Sequence, residues 1–93
     1  MKVVPWSLKY LEDHHNSVSS NLTVMVAWCR ELQADIYELQ TEADFNRCEN
    51  FPEVPLTVSS QSDVNGFIVT GPGARYFASN KCEEGFKVKI EII

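Results

Sequence analysis

The sequence predicts an all-β sandwich with one or two short helices, and three observations carry that expectation. Two segments alternate with the two-residue period of a strand. In residues 22–29, Leu22, Val24, Val26 and Trp28 share one side; in residues 86–92, Phe86, Val88, Ile90 and Ile92 do. Short apolar runs are separated by turn signals at spacings of about 8–12 residues, the rhythm of antiparallel sandwiches. Helical patterning is confined to two short stretches.

Taken in chain order, Ser7-Leu8-Lys9-Tyr10-Leu11-Glu12-Asp13 makes a short helical turn with Leu8 and Leu11 on one side, and His14-His15-Asn16-Ser17 reads as loop. Residues 22–29 form a strand and Asp35-Ile36-Tyr37-Glu38-Leu39 a second. Thr41-Glu42-Ala43-Asp44 has the form of a helix N-terminus, a threonine cap facing an acid three residues on. That helix ends before Asn50-Phe51-Pro52, and Pro52 and Pro55 keep the next stretch extended and irregular. Leu56-Thr57-Val58 is a strand candidate. Phe67-Ile68-Val69 is a stronger one, with Asn65-Gly66 as the turn before it and Gly71-Pro72-Gly73 as the turn after. Tyr76-Phe77-Ala78 and residues 86–92 complete the series. In the last strand Lys87, Lys89 and Glu91 share the face opposite the apolar one, which predicts a half-buried strand with a solvated outer side.

Ninety-three residues make a single domain. A chain of this size buries only about 60–65% of its unfolded surface, so covalent ties are welcome. Net charge is −5, with acids and bases interspersed. Nucleic acid and anionic membrane both require clustered Lys or Arg, so neither is an expected partner, and the expected state is a soluble monomer. No apolar run approaches the roughly 20 residues that span a bilayer. Met1-Lys2-Val3-Val4-Pro5 breaks at the proline before a signal-peptide core can form, so any secretory signal is expected outside these residues. The three cysteines suit one bridge and a spare thiol in an extracellular chain, or three reduced thiols in a cytosolic one. Neither Cys-x-x-Cys nor His-x-x-x-His occurs, which removes the usual zinc patterns.

The cysteines stand in a distinctive order of motifs. Tyr37-Glu38-Leu39 leads to Ala43-Asp44-Phe45-Asn46-Arg47-Cys48, with an aromatic residue three before the cysteine. Much later, Arg75-Tyr76-Phe77-Ala78-Ser79 precedes Cys82-Glu83-Glu84-Gly85-Phe86-Lys87-Val88. Over residues 22–93 this order resembles the phytocyanins, the plant blue copper family, and within them the early nodulin-like branch. The resemblance implies a cupredoxin-like Greek-key β-sandwich and a Cys48–Cys82 disulfide. A bridge closing a loop of that length contributes roughly 3–4 kcal/mol in the chain-entropy model. Cys29 is then the spare, either tucked against other chain or an exposed thiol, and the favoured state is that of a buried small hydrophobe. Before Leu22 the family's opening is hardly recognisable. Trp6 and Tyr10 are candidate remnants of its aromatics, and Lys2-Val3-Val4 is a candidate replacement for an edge strand.

A blue copper centre needs two imidazoles, a thiolate and a weak axial group. The family's ligand positions fall here on Ala34, Ser79, Lys81 and Phe86. Alanine and phenylalanine carry no donor atom, serine offers a poor one, and lysine brings a charge that repels a cation. The loop from Ser79 to Cys82 is also shorter than the copper-binding pattern. Early nodulin-like members similarly lack the ligands, and many carry serine after the Tyr-Phe pair. The expectation is therefore no metal, no cofactor and no catalysis.

For function the resemblance implies a copper-free, extracellular or plasma-membrane-surface module of plants, acting in recognition or structure, with signal and any lipid anchor outside these residues. Expected partners are cell-wall glycans, arabinogalactan-type glycoproteins or receptor ectodomains. The expected contact surface is the old ligand corner, Tyr76 to Phe86 with Ala34 nearby, because loop ends of a rigid sandwich commonly carry function. One alternative is a copper electron-transfer protein using His14, His15 and Cys29. Another is an unrelated small β adaptor inside the cell. Adjacent histidines point to different sides and suit a solvated loop better than a shared metal. Glu12-Asp13 and Glu83-Glu84 read as solvated surface rather than acid–base pairs. No Gly-x-Ser-x-Gly nucleophile elbow is present, and Gly71-Pro72-Gly73 lacks a phosphate-loop context. Asn21-Leu22-Thr23 is an acceptor triplet for N-linked sugar.

Overall fold

The structure is a computed structural model describing residues 1–29, 35–56 and 64–93. In chain order the elements among the described residues are β1 (Lys2–Pro5), α1 (Leu8–Asp13), β2 (Ser17–Ser20), β3 (Val24–Cys29), β4 (Ile36–Leu39), α2 (Glu42–Arg47), β5 (Val64–Val69), β6 (Gly73–Ser79) and β7 (Lys87–Ile92), with a 3-10 turn at Cys82–Glu84. The strands form two sheets, one in the order β1-β3-β5 and the other β2-β7-β6-β4. Consecutive β1 and β2 lie in opposite sheets, so the chain crosses through α1 at one end of the sandwich. β1 joins β3 in parallel, as β2 joins β7, while β3 with β5 and β6 with both β4 and β7 are antiparallel. The fold is the mostly β, two-sheet sandwich with short helices that the sequence predicts.

Alternation places the core. Val24, Val26 and Trp28 of β3 turn inward and meet Val88, Ile90 and Phe77 from the facing sheet. Trp6 and Leu11 close that core from the α1 end, both buried. Ser7 caps α1 by accepting the Tyr10 backbone N–H at 3.2 Å. Thr41 caps α2 in the same way, accepting the Asp44 N–H at 3.1 Å. That helix stops at Cys48, whose φ of 53° is left-handed. It lies on the outer face of the four-stranded sheet, where Phe45 packs with Leu39, Ala78 and Cys82 in a second apolar cluster.

The structure departs from the sequence reading at identifiable points. Ser17 opens a strand rather than ending a loop: β2 pairs with β7 from Ser17 opposite Lys89 to Ser20 opposite Ile92. Only Val18 of β2 is apolar, so the strand is defined by its neighbour and not by its own pattern. Asn65-Gly66 is no turn but lies inside β5, opposite Trp28 and Ala27. A Cβ on Gly66 would stand 2.6 Å from the Val26 carbonyl oxygen, so the glycine answers a close backbone approach. β3 begins at Val24, leaving Leu22 exposed. Lys2-Val3-Val4 does supply an edge strand. The outer side of β7 is partly roofed: Lys87 Nζ donates to the Phe45 carbonyl at 2.9 Å and sits 4.8 Å from the Phe45 ring centre. Thr57, Val58 and Ala34 lie outside the described residues.

Candidate functional site

β6 ends at Ser79 and β7 begins at Lys87, so the corner between them holds Ser79, Lys81 and Phe86, three of the positions that the resemblance matches to copper ligands. Ser79 is buried. Its N–H donates to the Phe86 carbonyl at 3.1 Å, and its Oγ accepts the Lys81 N–H at 3.1 Å. The 3-10 turn then closes with the Gly85 N–H on the Cys82 carbonyl at 2.9 Å. Gly85 has φ 108°, and a Cβ there would stand 3.1 Å from Leu8 Cδ1, so this turn needs glycine for both backbone and space.

The N-terminal segment seals the corner. Phe86 is half-buried against Trp6, ring centres 6.4 Å apart. Asn16 Nδ2 donates to the carbonyls of Gly85 and Lys87, both at 2.8 Å. The Trp6 indole N–H is buried without a hydrogen-bond partner among the described residues, which marks apolar packing rather than a polar site. What remains exposed is the tip: Asn80, Lys81, Glu83 and Glu84.

Cys48 and Cys82 are joined, Cα atoms 5.8 Å apart and 34 positions apart in sequence. Both ends lie with the four-stranded sheet, so the bridge ties the end of α2 to the β6–β7 turn. Cys29 corrects an expectation: it is a free, exposed thiol, not a buried one. The cause is the β3 alternation, which turns Trp28 inward and Cys29 onto the outer face of the three-stranded sheet.

The corner does not fit copper. Of its buried heteroatom side chains, Ser79 already accepts a backbone N–H and Cys82 is committed to the bridge; Lys81 is exposed, and Phe86 offers only a ring. His14 and His15 are exposed, and the His14 ring stacks on Tyr10 at 3.9 Å with Nδ1 2.8 Å from the Tyr10 carbonyl oxygen. Among the described residues no three His, Cys, Asp or Glu side chains gather into a group that could hold a metal. Glu12, Asp13, Glu83 and Glu84 are exposed. No described helix is long and apolar enough to cross a membrane.

Sequence reasoning missed the Glu38–Arg75 pair, which lines an open cleft of about 190 Å³ with Leu39, Gln40, Ala74 and Tyr76. The contact is bidentate, at 2.8 Å and 2.6 Å. The hydrogen bonds that Arg75 donates to Glu38 raise its pKa above the ordinary value; partial burial opposes this and charge attraction adds to it. Only register reveals the pair: Glu38 faces Phe77, placing Arg75 diagonally across one face of β4 and β6.

The fold defines the class, a cupredoxin-like sandwich, and among the described residues of the corner no set of copper donors is gathered. Cucumber stellacyanin, solved with Cu2+ at pH 7.0, superposes with a TM-score of 0.58 at 14% identity, covering 100% of this chain and 96% of that one. Stellacyanin is a phytocyanin, and the likeness is one of fold. Reduced auracyanin from the photosynthetic bacterium Roseiflexus castenholzii gives a TM-score of 0.45 at 11% identity over 84% of each chain. No protein-family model matches the sequence, and no curated protein matches it either.

Proposed function

We propose that this chain is a copper-free, phytocyanin-like module of the plant cell surface, acting by non-enzymatic recognition. The observation that carries the reading is the corner itself. A fold shared with a Cu2+ protein is kept, while Ser79, Lys81 and Phe86 replace donors and Trp6 plugs the space behind them. The Cys48–Cys82 bridge supports an oxidising compartment, where such bonds persist. The partner surface is the exposed tip from Asn80 to Glu84, mixed in charge and held by the bridge and the Asn16 hydrogen bonds. Its partner class is cell-wall glycan, arabinogalactan-type glycoprotein or receptor ectodomain.

Two measurements test the reading. Titration with Cu2+ followed by visible absorption should give no charge-transfer band, and a blue or green chromophore retained against chelator would refute it. An array of cell-wall glycans and receptor ectodomains should show binding by the folded domain that Asn80→Ala/Lys81→Ala abolishes. Binding untouched by that pair would move the contact surface elsewhere.

A further inference from the structure

The end of the sandwich opposite the ligand corner carries a second feature. Asn21-Leu22-Thr23 is the single Asn-x-Ser/Thr triplet of the chain, and it forms the bend between β2 and β3. Buried Ser20 shapes that bend: its Oγ accepts the Leu22 N–H and donates to the Leu22 carbonyl, both at 2.9 Å. The bend is anchored below as well, because the Lys2 N–H donates to the Thr23 carbonyl at 2.9 Å. Asn21 and Thr23 are exposed, and the Asn21 carboxamide makes no hydrogen bond among the described residues. Beside it lies an open groove of about 510 Å³ lined by Lys2, Ser19, Ser20, Asn21, Leu22 and Ile93, with Leu22 53% exposed.

We infer that Asn21 carries an N-linked glycan whose first sugar lies over Leu22. An acceptor asparagine needs its carboxamide free and the hydroxyl two residues on accessible; this bend presents both. In the transfer, the Asn21 carboxamide nitrogen loses a proton and bonds to C1 of the terminal sugar of a lipid-diphosphate-linked oligosaccharide. The lipid diphosphate leaves. The sugar would lie about 20 Å from the Asn80–Glu84 tip, the length of the six-residue β7, and would leave the tip open. The inference rests on the extracellular reading above.

The test is secretion of the chain from eukaryotic cells behind a cleavable signal, with intact-mass analysis. The wild type should be heavier by one core oligosaccharide, Asn21→Gln and Thr23→Ala should be bare, and Thr23→Ser should regain the sugar. A bare but disulfide-bonded wild type would overturn the site itself. Reduced Cys48 and Cys82 in the native cell would overturn it through the compartment instead. After trimming to a single sugar, the chain should bind less of a hydrophobic dye than Asn21→Gln does; equal binding would refute the packing over Leu22.

Discussion

The outer face of the four-stranded sheet lies under α2, where Phe45 packs on Leu39, Ala78 and Tyr76 and the Cys48–Cys82 bridge locks the helix end. The outer face of the three-stranded sheet has no such cover among the described residues. Val3, Met25 and Ile68 stand in one row across β1, β3 and β5, with Val3 54% and Ile68 50% exposed. Pro5, Ala27 and Gly66 form the next row. Both sheets bury their inner faces in the same core, so the contrast isolates what an outer layer requires. A helix of six residues is far below the length of about 12–15 at which helices become marginal alone. It holds its place through the Thr41 cap, the Phe45 side chain, the Lys87 contacts and the covalent tie.

The largest expected effect follows from cutting that tie. Cys48→Ala/Cys82→Ala should lower unfolding stability in urea by about 3–4 kcal/mol, the chain-entropy value for a loop of this size. Amides of α2 should lose hydrogen-exchange protection before those of β3 and β7. Equal loss in all three would mean that the helix layer and the inter-sheet core are one cooperative unit. Next comes Phe45→Ala, expected to cost about 3 kcal/mol, the low end for a buried phenylalanine because the site borders solvent. It also removes the ring under Lys87 and the contact with Tyr76 at 5.6 Å.

The same contrast explains what could be read in the sequence. The first helix announces itself by Leu8 and Leu11 on one side, the second by its Thr41 cap, and β3 and β7 by alternation over the inter-sheet core. The disulfide was legible only through the resemblance to phytocyanins, since no spacing of three cysteines selects a pair. β2 escaped because Ser17-Val18-Ser19-Ser20 holds one apolar residue, and its strand character comes from β7 alone. Gly66 misled because glycine after asparagine serves tight turns and close strand contacts equally well. Cys29 was misjudged because alternation gives the side of a residue, not whether a layer covers that side.

Gly66 offers a sharper probe of the bare face. Gly66→Ala should destabilise by about 1–3 kcal/mol, since the new methyl meets the Val26 carbonyl and the end of Met25 at 3.1 Å. That cost would come from strand–strand approach, with no covering layer involved. A neutral result in urea unfolding would mean that β5 shifts freely on β3, and that the uncovered sheet is looser than its register implies.

The smallest effect is the most diagnostic. Val3→Thr/Ile68→Thr should leave stability within about 0.5 kcal/mol, because half-exposed side chains on a solvated face lose little on substitution and threonine keeps the β-branched preference for strands. A loss of more than about 1.5 kcal/mol would imply that this row is covered in the folded protein, since only burial makes truncating an apolar side chain that costly. The two faces would then differ in what covers them, and no longer in whether they are covered.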